Sequence, residues 1–288
     1  MTSSLKPLLQ VFRGQPAQVG DGFMIRRALP NQGLGQLGPF LVLDYAGPTY
    51  FAPSGKARGV DQHPHRGFET VSIVYQGELE HRDSQGNKGS LGPGDVQWMT
   101  AASGVVHEEK HSQAFTQSGG TLEMIQLWVN LPAVHKMSAP GYQEITDAQI
   151  PALAVAEGRG SLRLIAGEYE GQKGPARTFT PISLFDLKLD AGATFRLRLP
   201  ATYHTGLFVL HGEAVFQRDT VVTDAQLAVF DTEGAEVLIE AQTDTRILVL
   251  GGEPIAEPVM SYGPFVMNTQ EEIRQAYADY RSGKMGRL

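Results

Sequence analysis

The chain has 288 residues, of which 41% are hydrophobic and 19% charged, a composition typical of a soluble globular protein of about two domains. Its net charge of −7 argues against direct binding to nucleic acid, because contacts with phosphate need clustered Lys and Arg. The absence of cysteine excludes disulfides, zinc–thiolate sites, iron–sulfur clusters and thiol catalysis.

Short runs with β-strand character follow one another along the chain, and most are bounded by Gly, Pro, Asp or Asn. In chain order they are MIRRAL, FLVLDYA, TVSIVYQ, DVQWMTA, MIQLWVNL, LRLIAG, ISLFDLKL, GLFVLHG, LAVFD, EVLIEA and RILVLGG. With 33 Gly and 17 Pro the chain is rich in turns, which favours short strands over long helices. The pattern predicts an all-β sandwich or barrel.

One helix is predicted, close to the C-terminal end. Thr269 and Glu272 have the spacing of a capping box, and Gly283 suits the position that ends a helix. Between them, apolar residues recur with helical spacing at Ile273, Tyr277 and Tyr280.

No window contains the roughly 18 consecutive apolar residues needed to span a bilayer. The first residues, MTSSLKPLLQVFRG, lack the apolar run and cleavage site of a signal peptide. We therefore expect a cytoplasmic protein that makes no membrane contact, and we expect it to be a monomer.

A faint internal repeat indicates two copies of one β unit. Residues 74–78 read VYQGE and residues 209–213 read VLHGE, and each stretch lies between two strand-like runs. Residues 141–160 are rich in small residues and proline and suit a linker between the copies. We predict two domains, 1–140 and 141–288, with the helix at the end of the second.

Two short pairs of metal-ligand residues stand out. In a β-strand, residues two apart point to the same face, so His63 and His65 would point together, as would His107 and Glu109. Two neighbouring strands could then bring three imidazoles and one carboxylate to one point inside a barrel. Pro64 supports an edge strand, because proline cannot donate a ladder hydrogen bond.

The donor set predicts one divalent transition metal. Imidazole suits Fe, Cu, Zn, Ni and Co, and a carboxylate adds a hard anionic donor. Four protein ligands on a six-coordinate ion leave two positions free, which is typical of a catalytic site rather than a structural one. A lone HxH or HxE is usually accidental, so the joint occurrence of the two pairs carries the prediction.

The remaining histidines lack such pairing and are interpreted as surface or core residues: His81, His111, His135, His204 and His211. If its strand continued, His111 would point to the same face as the ligands. A position at the rim of the metal site is then favoured over a role in gating it.

Three long stretches resemble the pirin family of the cupin superfamily: HPHRGFETVSIVYQGELEHRDSQGN, GDVQWMTAASGVVHEE and QLWVNLP. The resemblance extends to GFMIRRALP and FLVLDYAGP near the start and SYGPFVMNTQEEIRQAYADYRSGKMG at the end. It implies two cupin-type, jelly-roll β-barrels, the N-terminal one holding a metal that is usually iron. The pirin ligands fall on His63, His65, His107 and Glu109.

Glu69 is the alternative carboxylate, because the general cupin pattern places a glutamate ligand after HxH. In pirins the carboxylate comes from the HxE pair instead, so we favour Glu109 as ligand. Glu69 then either orients an imidazole N–H or makes an ordinary strand-to-strand hydrogen bond. The second copy has no HxH and no HxE, so we expect the C-terminal barrel to be metal-free.

The resemblance implies quercetin 2,3-dioxygenase activity, in which dioxygen cleaves a flavonol-like aromatic substrate with release of carbon monoxide. The flavonol 3-hydroxyl binds a metal well only after losing a proton, and Glu109 is the candidate catalytic residue that accepts it. Phe68, Trp98 and Met99 are candidates for an apolar pocket wall, although core packing is the commoner fate of such residues. Fe(II) is the expected metal, with Cu, Ni, Co, Mn or Zn compatible. The alternative is an iron-dependent redox-sensing protein that binds a protein partner.

Overall fold

The computed structural model describes residues 4–21 and 23–288, so Gly22, the first residue of one signature stretch, lies outside the described residues. The first half of the chain contains β1 (Leu8–Arg13), β2 (Gln15–Val19), β3 (Phe23–Leu29), β4 (Phe40–Phe51), β5 (Gly59–His65), β6 (Phe68–Gln76), β7 (Leu79–Asp83), β8 (Lys88–Leu91), β9 (Val96–Thr100), β10 (Val105–His111), α1 (Gln113–Ser118), β11 (Gly120–Asn130) and β12 (Gly141–Ile145).

The second half contains β13 (Ala152–Val155), β14 (Gly160–Ala166), β15 (Glu168–Tyr169), β16 (Gln172–Lys173), β17 (Ile182–Leu189), β18 (Thr194–Arg198), β19 (His204–His211), β20 (Ala214–Phe216), β21 (Thr220–Val222), β22 (Gln226–Phe230), β23 (Glu236–Ala241), β24 (Thr245–Gly252), β25 (Met260–Tyr262), β26 (Phe265–Met267) and α2 (Gln270–Arg281). Short 3₁₀ turns cover Ala133–His135, Asp147–Gln149 and Ala156–Gly158. Neither α-helix in the described ranges is long and apolar enough to cross a membrane.

All eleven predicted strand-like runs lie in strands, and the all-β fold class is confirmed. The longest runs are buried along nearly their whole length, as in β6 and β17. Burial on both faces explains why these strands read as near-continuous apolar runs rather than as alternating ones. The strands that the sequence pattern missed are short or polar, such as β2, β8 and β18.

The two barrels have the same sheet plan. In the N-terminal barrel, a seven-stranded sheet of order β12-β9-β6-β11-β4-β3-β2 accompanies a four-stranded sheet of order β5-β10-β7-β8. In the C-terminal barrel the corresponding orders are β1-β22-β19-β24-β17-β14-β13 and β18-β23-β20-β21. The repeat predicted from residues 74–78 and 209–213 falls at equivalent places, where β6 turns into β7 and β19 turns into β20.

Contacts divide the chain differently from the predicted boundary. One compact unit comprises Met1–Gln15, Arg27–Leu41 and Ala148–Pro254, and the other comprises Pro16–Arg26, Val42–Asp147 and Ile255–Leu288. The predicted linker 141–160 is largely ordered, because β12 pairs with β9 of the N-terminal barrel and β13 pairs with β14 of the C-terminal barrel. The terminal segments are exchanged: β1 pairs with β22, and α2 packs on β26. The two compact units differ from the predicted domains 1–140 and 141–288 at both ends of the chain. The division into these two domains remains a prediction.

The C-terminal barrel is filled with apolar side chains. On β18 and β23, the strands equivalent to the predicted ligand strands, Leu197, Val237 and Ile239 lie in one buried hydrophobic cluster. Phe185, Phe216 and Leu207 belong to the same cluster. Burial of each such side chain stabilises the fold by about 1.5–3 kcal/mol, so this barrel is built for stability.

Helix α2 has the predicted ends. Thr269 is its N-cap and forms the capping box with Glu272, and Gly283 follows it in the left-handed conformation with φ of 78°. The buried face differs from the predicted one, because it consists of Ile273, Ala276 and Asp279, while Tyr280 is exposed. Two of these three residues are small or charged, which explains why the apolar pattern alone misplaced this face.

Replacement of the cap residue tests the importance of the helix start. We expect Thr269→Ala to lower the free energy of unfolding by about 1 kcal/mol, because the Glu272 backbone N–H loses the hydroxyl that accepts its hydrogen bond. Urea unfolding followed by far-UV circular dichroism measures this change. Thr232→Ala, at an exposed loop threonine, is the control, and an equal loss in both variants would contradict the role of the cap.

Candidate metal centre

The two predicted ligand pairs lie on neighbouring antiparallel strands. His63 and His65 are near the end of β5, and His107 and Glu109 are in the middle of β10. The strand register sets His107 directly opposite His63. β5 is the edge strand of its sheet, which is where Pro64 is tolerated. The prediction that two adjacent strands carry these pairs is confirmed.

Three imidazoles converge. The ligand nitrogens of His63, His65 and His107 lie within 4.8 Å of one another. Their ring centroids are 4.7 Å apart for His63 and His65, 4.3 Å for His63 and His107, and 4.9 Å for His65 and His107. Metal–imidazole bonds are about 2.0–2.1 Å, so nitrogens that share one ion are at most about 4.2 Å apart. The rings are therefore close to the spacing that one divalent transition metal requires.

The outer nitrogens of two of these rings have backbone partners. His63 Nδ1 is 2.7 Å from the Asp61 carbonyl oxygen, and His65 Nδ1 is 3.3 Å from that of Pro264. A carbonyl oxygen only accepts, so each Nδ1 carries the proton and each Nε2 is left as the free electron-pair donor. This arrangement is typical of metal-binding histidines.

His107 provides the test of fit for a metal. Its side chain is buried, and neither ring nitrogen has a hydrogen-bond partner within the described ranges. A buried polar group without a partner costs about 1–3 kcal/mol, so such groups are rare in native folds. A metal ion shared with His63 and His65 would engage one of these nitrogens. The three residues therefore fit a metal.

The same burial keeps the ligands neutral. Desolvation, reinforced by the neighbouring His63, lowers the pKa of both His65 and His107 well below the usual histidine value. Neutral imidazole is the form that binds a metal, because protonation occupies the electron pair. The buried pair is therefore held ready for coordination at neutral pH.

Glu109 lies on the same strand but outside the three-histidine group. Its Oε1 accepts a hydrogen bond of 2.8 Å from the Ser72 hydroxyl, whose oxygen is also 2.8 Å from Gln126 Oε1. The side chain is only partly buried. Its role as fourth ligand stays a prediction.

Glu69, the alternative carboxylate, has a different environment. It is buried, and its Oε1 accepts a 2.7 Å hydrogen bond from Thr100 on the neighbouring strand β9. Burial raises its pKa to about 7. The Thr100 contact is the ordinary strand-to-strand hydrogen bond, one of the two roles predicted for Glu69. The other predicted role is to orient an imidazole N–H.

The aromatic neighbours of the site are only partly those expected. Phe68 contacts His65 at 5.0 Å between ring centroids, as a pocket wall would. Trp128 on β11 also contacts His65 at 5.2 Å and stacks on Phe68, although no local signal in the sequence singles it out. Trp98 pairs with Val71, two positions after Glu69 on β6. It therefore lies on the same face of the sheet as Glu69 and on the opposite face from Phe68. Of the two predicted fates of Trp98, pocket wall and core packing, the structure supports core packing.

Two further histidines of this barrel are buried. His111 packs edge-on against the rings of Phe23, Phe51 and Phe115, and burial lowers its pKa to about 4. His111 is therefore a core residue, and it lies neither at the rim of the metal site nor at a gate to it. His81 is also buried, but its ring is 5.3 Å from that of His107. Only the pairing of β7 with β10 could have revealed this proximity.

A buried ionic clamp fixes the turns on either side of the ligands. Arg66, next to His65, donates from Nε to the Ser103 carbonyl at 2.7 Å and from Nη1 to Asp279 of α2 at 2.9 Å. Lys136 donates to the carbonyl of Gly67 at 2.7 Å. Gly67 has φ of 88°, and a Cβ there would collide with the Val266 carbonyl oxygen, so only glycine fits.

Two β-barrels of equal plan, with a histidine cluster inside one of them, define a cupin-type metalloprotein with two barrels. A family model described as Pirin matches residues 22–129, and one described as Pirin C-terminal cupin domain matches residues 184–286. The chain belongs to the pirin family.

Individual relatives agree over almost the whole length. A Pseudomonas aeruginosa protein provisionally named a quercetin 2,3-dioxygenase is 52% identical over 267 residues, covering 92% of this chain and 93% of the relative. Human pirin is 36% identical, covering 99% of this chain and 96% of its own. A crystal structure of quercetin 2,3-dioxygenase from Acinetobacter baumannii superimposes with a TM-score of 0.95 at 46% identity, covering 98% of this chain and 99% of that one.

Proposed function

We propose that this protein is a metal-dependent dioxygenase of the quercetin 2,3-dioxygenase type. The observation that carries the proposal is the convergence of His63, His65 and His107, with nitrogens within 4.8 Å, inside one barrel of a chain related to quercetin 2,3-dioxygenases. Three imidazoles and a nearby carboxylate would leave coordination positions for substrate and dioxygen. We propose Fe(II) as the metal.

The bound metal would supply Lewis acidity toward the flavonol 3-hydroxyl and electrons for chemistry with dioxygen. The protein residues bind and orient: the three imidazoles hold the ion, and Phe68 with Trp128 forms an aromatic wall beside His65. Glu109 takes the 3-hydroxyl proton on its carboxylate, and the Ser72 hydroxyl holds that carboxylate in place. Both oxygen atoms of dioxygen enter the ring-opened ester, and one ring carbon leaves as carbon monoxide.

Anaerobic reconstitution tests this function. Full-length protein is stripped of metal, loaded with Fe(II), mixed with quercetin and then exposed to oxygen. We expect oxygen consumption matched by carbon monoxide release, both dependent on metal, and both strongly reduced in Glu109→Gln. Glu78→Gln, at a half-buried glutamate in the β6–β7 turn, is the matched control. Absence of metal-dependent oxygen uptake, with Glu109→Gln equal to the unsubstituted protein, would refute the proposal.

Removal of a ligand tests the metal site by itself. We expect His107→Ala to weaken Co(II) binding by at least about 100-fold, since loss of outer partners alone costs 10–100-fold. Titration followed by visible absorption measures the affinity, and His135→Ala, on a half-exposed turn histidine, is the control. Equal affinity in both variants would exclude His107 as a ligand.

A second candidate function is redox-sensitive binding of a protein partner. An outer groove of about 430 Å³ is lined by Glu108 and Lys110, which alternate with His107 and Glu109 along β10, and by Glu80 and Arg82 of β7. A partner in this groove would contact the strand that carries the ligands. We expect amide hydrogen exchange in residues 105–111 to differ between Fe(II)- and Fe(III)-loaded protein. Identical exchange in both forms would contradict a redox signal at this surface.

A further inference from the structure

The three histidines differ in what lies behind them. His63 and His65 each have a backbone carbonyl as outer partner, at 2.7 and 3.3 Å. His107 has no such partner among the described residues, so a metal on one nitrogen would leave its other N–H buried and unsatisfied. Ligand histidines almost always donate that N–H to an outer group.

His81 is the polar side chain that lies against His107. It is 1% exposed, and its ring centroid is 5.3 Å from that of His107 with the planes at 62°. Both of its own nitrogens also lack partners within the described part of the chain. The register pairs His81 on β7 with Glu109 on β10, so the ring is directed to the ligand side of the sheet.

A second layer holds His81 in position. The Tyr142 ring stacks on it with planes 5° apart and centroids at 5.3 Å. The Tyr142 hydroxyl and the Gln97 amide face each other in this layer. Gln97 is on β9 and Tyr142 on β12, so the seven-stranded sheet supplies this layer behind a residue of the four-stranded one. The ring nitrogens of His81 and His107 are buried without partners among the described residues, and each such group costs about 1–3 kcal/mol, which favours a shared role of the two rings.

We infer that His81 is the outer partner of the ligand His107 and acts as a positioning residue for the metal. A neutral imidazole has one acceptor nitrogen, which can take the N–H of metal-bound His107, and one N–H, which can go to the Tyr142 hydroxyl or the Gln97 amide. Such a partner fixes the ligand's tautomer and ring plane and raises its basicity. The inference rests on the metal site of the proposed function.

Binding of Co(II) to the stripped full-length protein tests the inference without any assay of turnover. His81→Phe keeps an aromatic ring against Tyr142 and removes both nitrogens. We expect it to weaken Co(II) binding about 10–100-fold and to shift the visible absorption bands of the bound ion. His81→Gln keeps an acceptor and should recover most of the affinity. His111→Phe, at a buried histidine surrounded by aromatic rings, is the matched control and should bind like the unsubstituted protein.

The outcomes separate the possible roles. His81→Phe with unchanged affinity and unchanged spectrum would overturn the inference. Equal weakening in His81→Phe and His81→Gln, together with a lower thermal midpoint of the metal-free protein, would assign His81 to packing and also overturn it. If His81→Phe does not fold, His81→Gln decides the matter. A Co(II) spectrum and affinity equal to those of the unsubstituted protein support an acceptor role for residue 81, and a changed spectrum or affinity opposes it. Unchanged affinity in His107→Ala would instead remove the metal site, and the proposed function with it.

Discussion

Asp279→Asn is expected to lower the free energy of unfolding by about 3–5 kcal/mol, because it leaves the buried Arg66 guanidinium without its counter-charge. The side chains of this ion pair are 5% and 9% exposed, and the N–O distance is 2.9 Å. Asp279 also accepts hydrogen bonds of 2.8 Å from Gln275 and Lys284, so the substitution disturbs a network rather than one contact. Removing one partner of a buried pair is far more harmful than removing an exposed pair.

The loss of the Arg66–Asp279 ion pair should also affect the metal centre. Arg66 follows His65 directly and also donates to Ser103, close to the start of β10. We therefore expect Asp279→Asn to weaken Co(II) binding in addition to lowering the urea midpoint. Glu271→Gln removes an exposed charge from the same helix and serves as control. A midpoint for Asp279→Asn that matches this control would show that α2 does not stabilise the ligand turns.

Glu69→Gln should stabilise the protein, and the gain should grow with pH. Burial raises the pKa of Glu69 from 4.5 to about 7. A group whose pKa is raised by folding contributes full stability below its unfolded pKa and loses it as the pH rises through the folded value. A rise of this size corresponds to about 3 kcal/mol. The unsubstituted protein should therefore lose about this much between pH 4.5 and pH 8, and the variant should not.

Urea unfolding of the metal-free protein at pH 5 and pH 8 measures this difference. In the Glu69→Gln variant the side-chain amide oxygen can still accept the Thr100 hydroxyl, so this hydrogen bond is kept while the charge is removed. Glu233→Gln, at an exposed loop glutamate, is the control and should show no such pH dependence. Unchanged Co(II) affinity in Glu69→Gln would add support for Glu109 as the metal carboxylate. A variant that is less stable at pH 8 than the unsubstituted protein would contradict the raised pKa.

The strands and the ligand strands were predictable because their signals are local. Alternation places His63 with His65, and proline restricts their strand to an edge, so the sequence alone leads to a shared site. The capping box of α2 is equally local, since Thr269 and Glu272 are one helical turn apart. These features need no knowledge of which strands pair.

The features that escaped prediction depend on pairing across long distances in the chain. His81 reaches His107 only because β7 lies beside β10, and Trp128 reaches His65 only because β11 lies beside β6. The exchange of terminal segments has no local signal either, as the pairing of β1 with β22 shows. The face on which Trp98 lies likewise follows only from the pairing of β6 with β9.

The clamp on Arg66 has a consequence for biosynthesis. Arg66 and Asp279 are 213 residues apart in sequence, so the carboxylate is available only after α2 has been synthesised. Until then, Arg66 has the Ser103 carbonyl as a partner but lacks its counter-charge. The turns that flank His65 therefore gain this ion pair only after synthesis has passed α2, long after the strands that carry the histidines have been made.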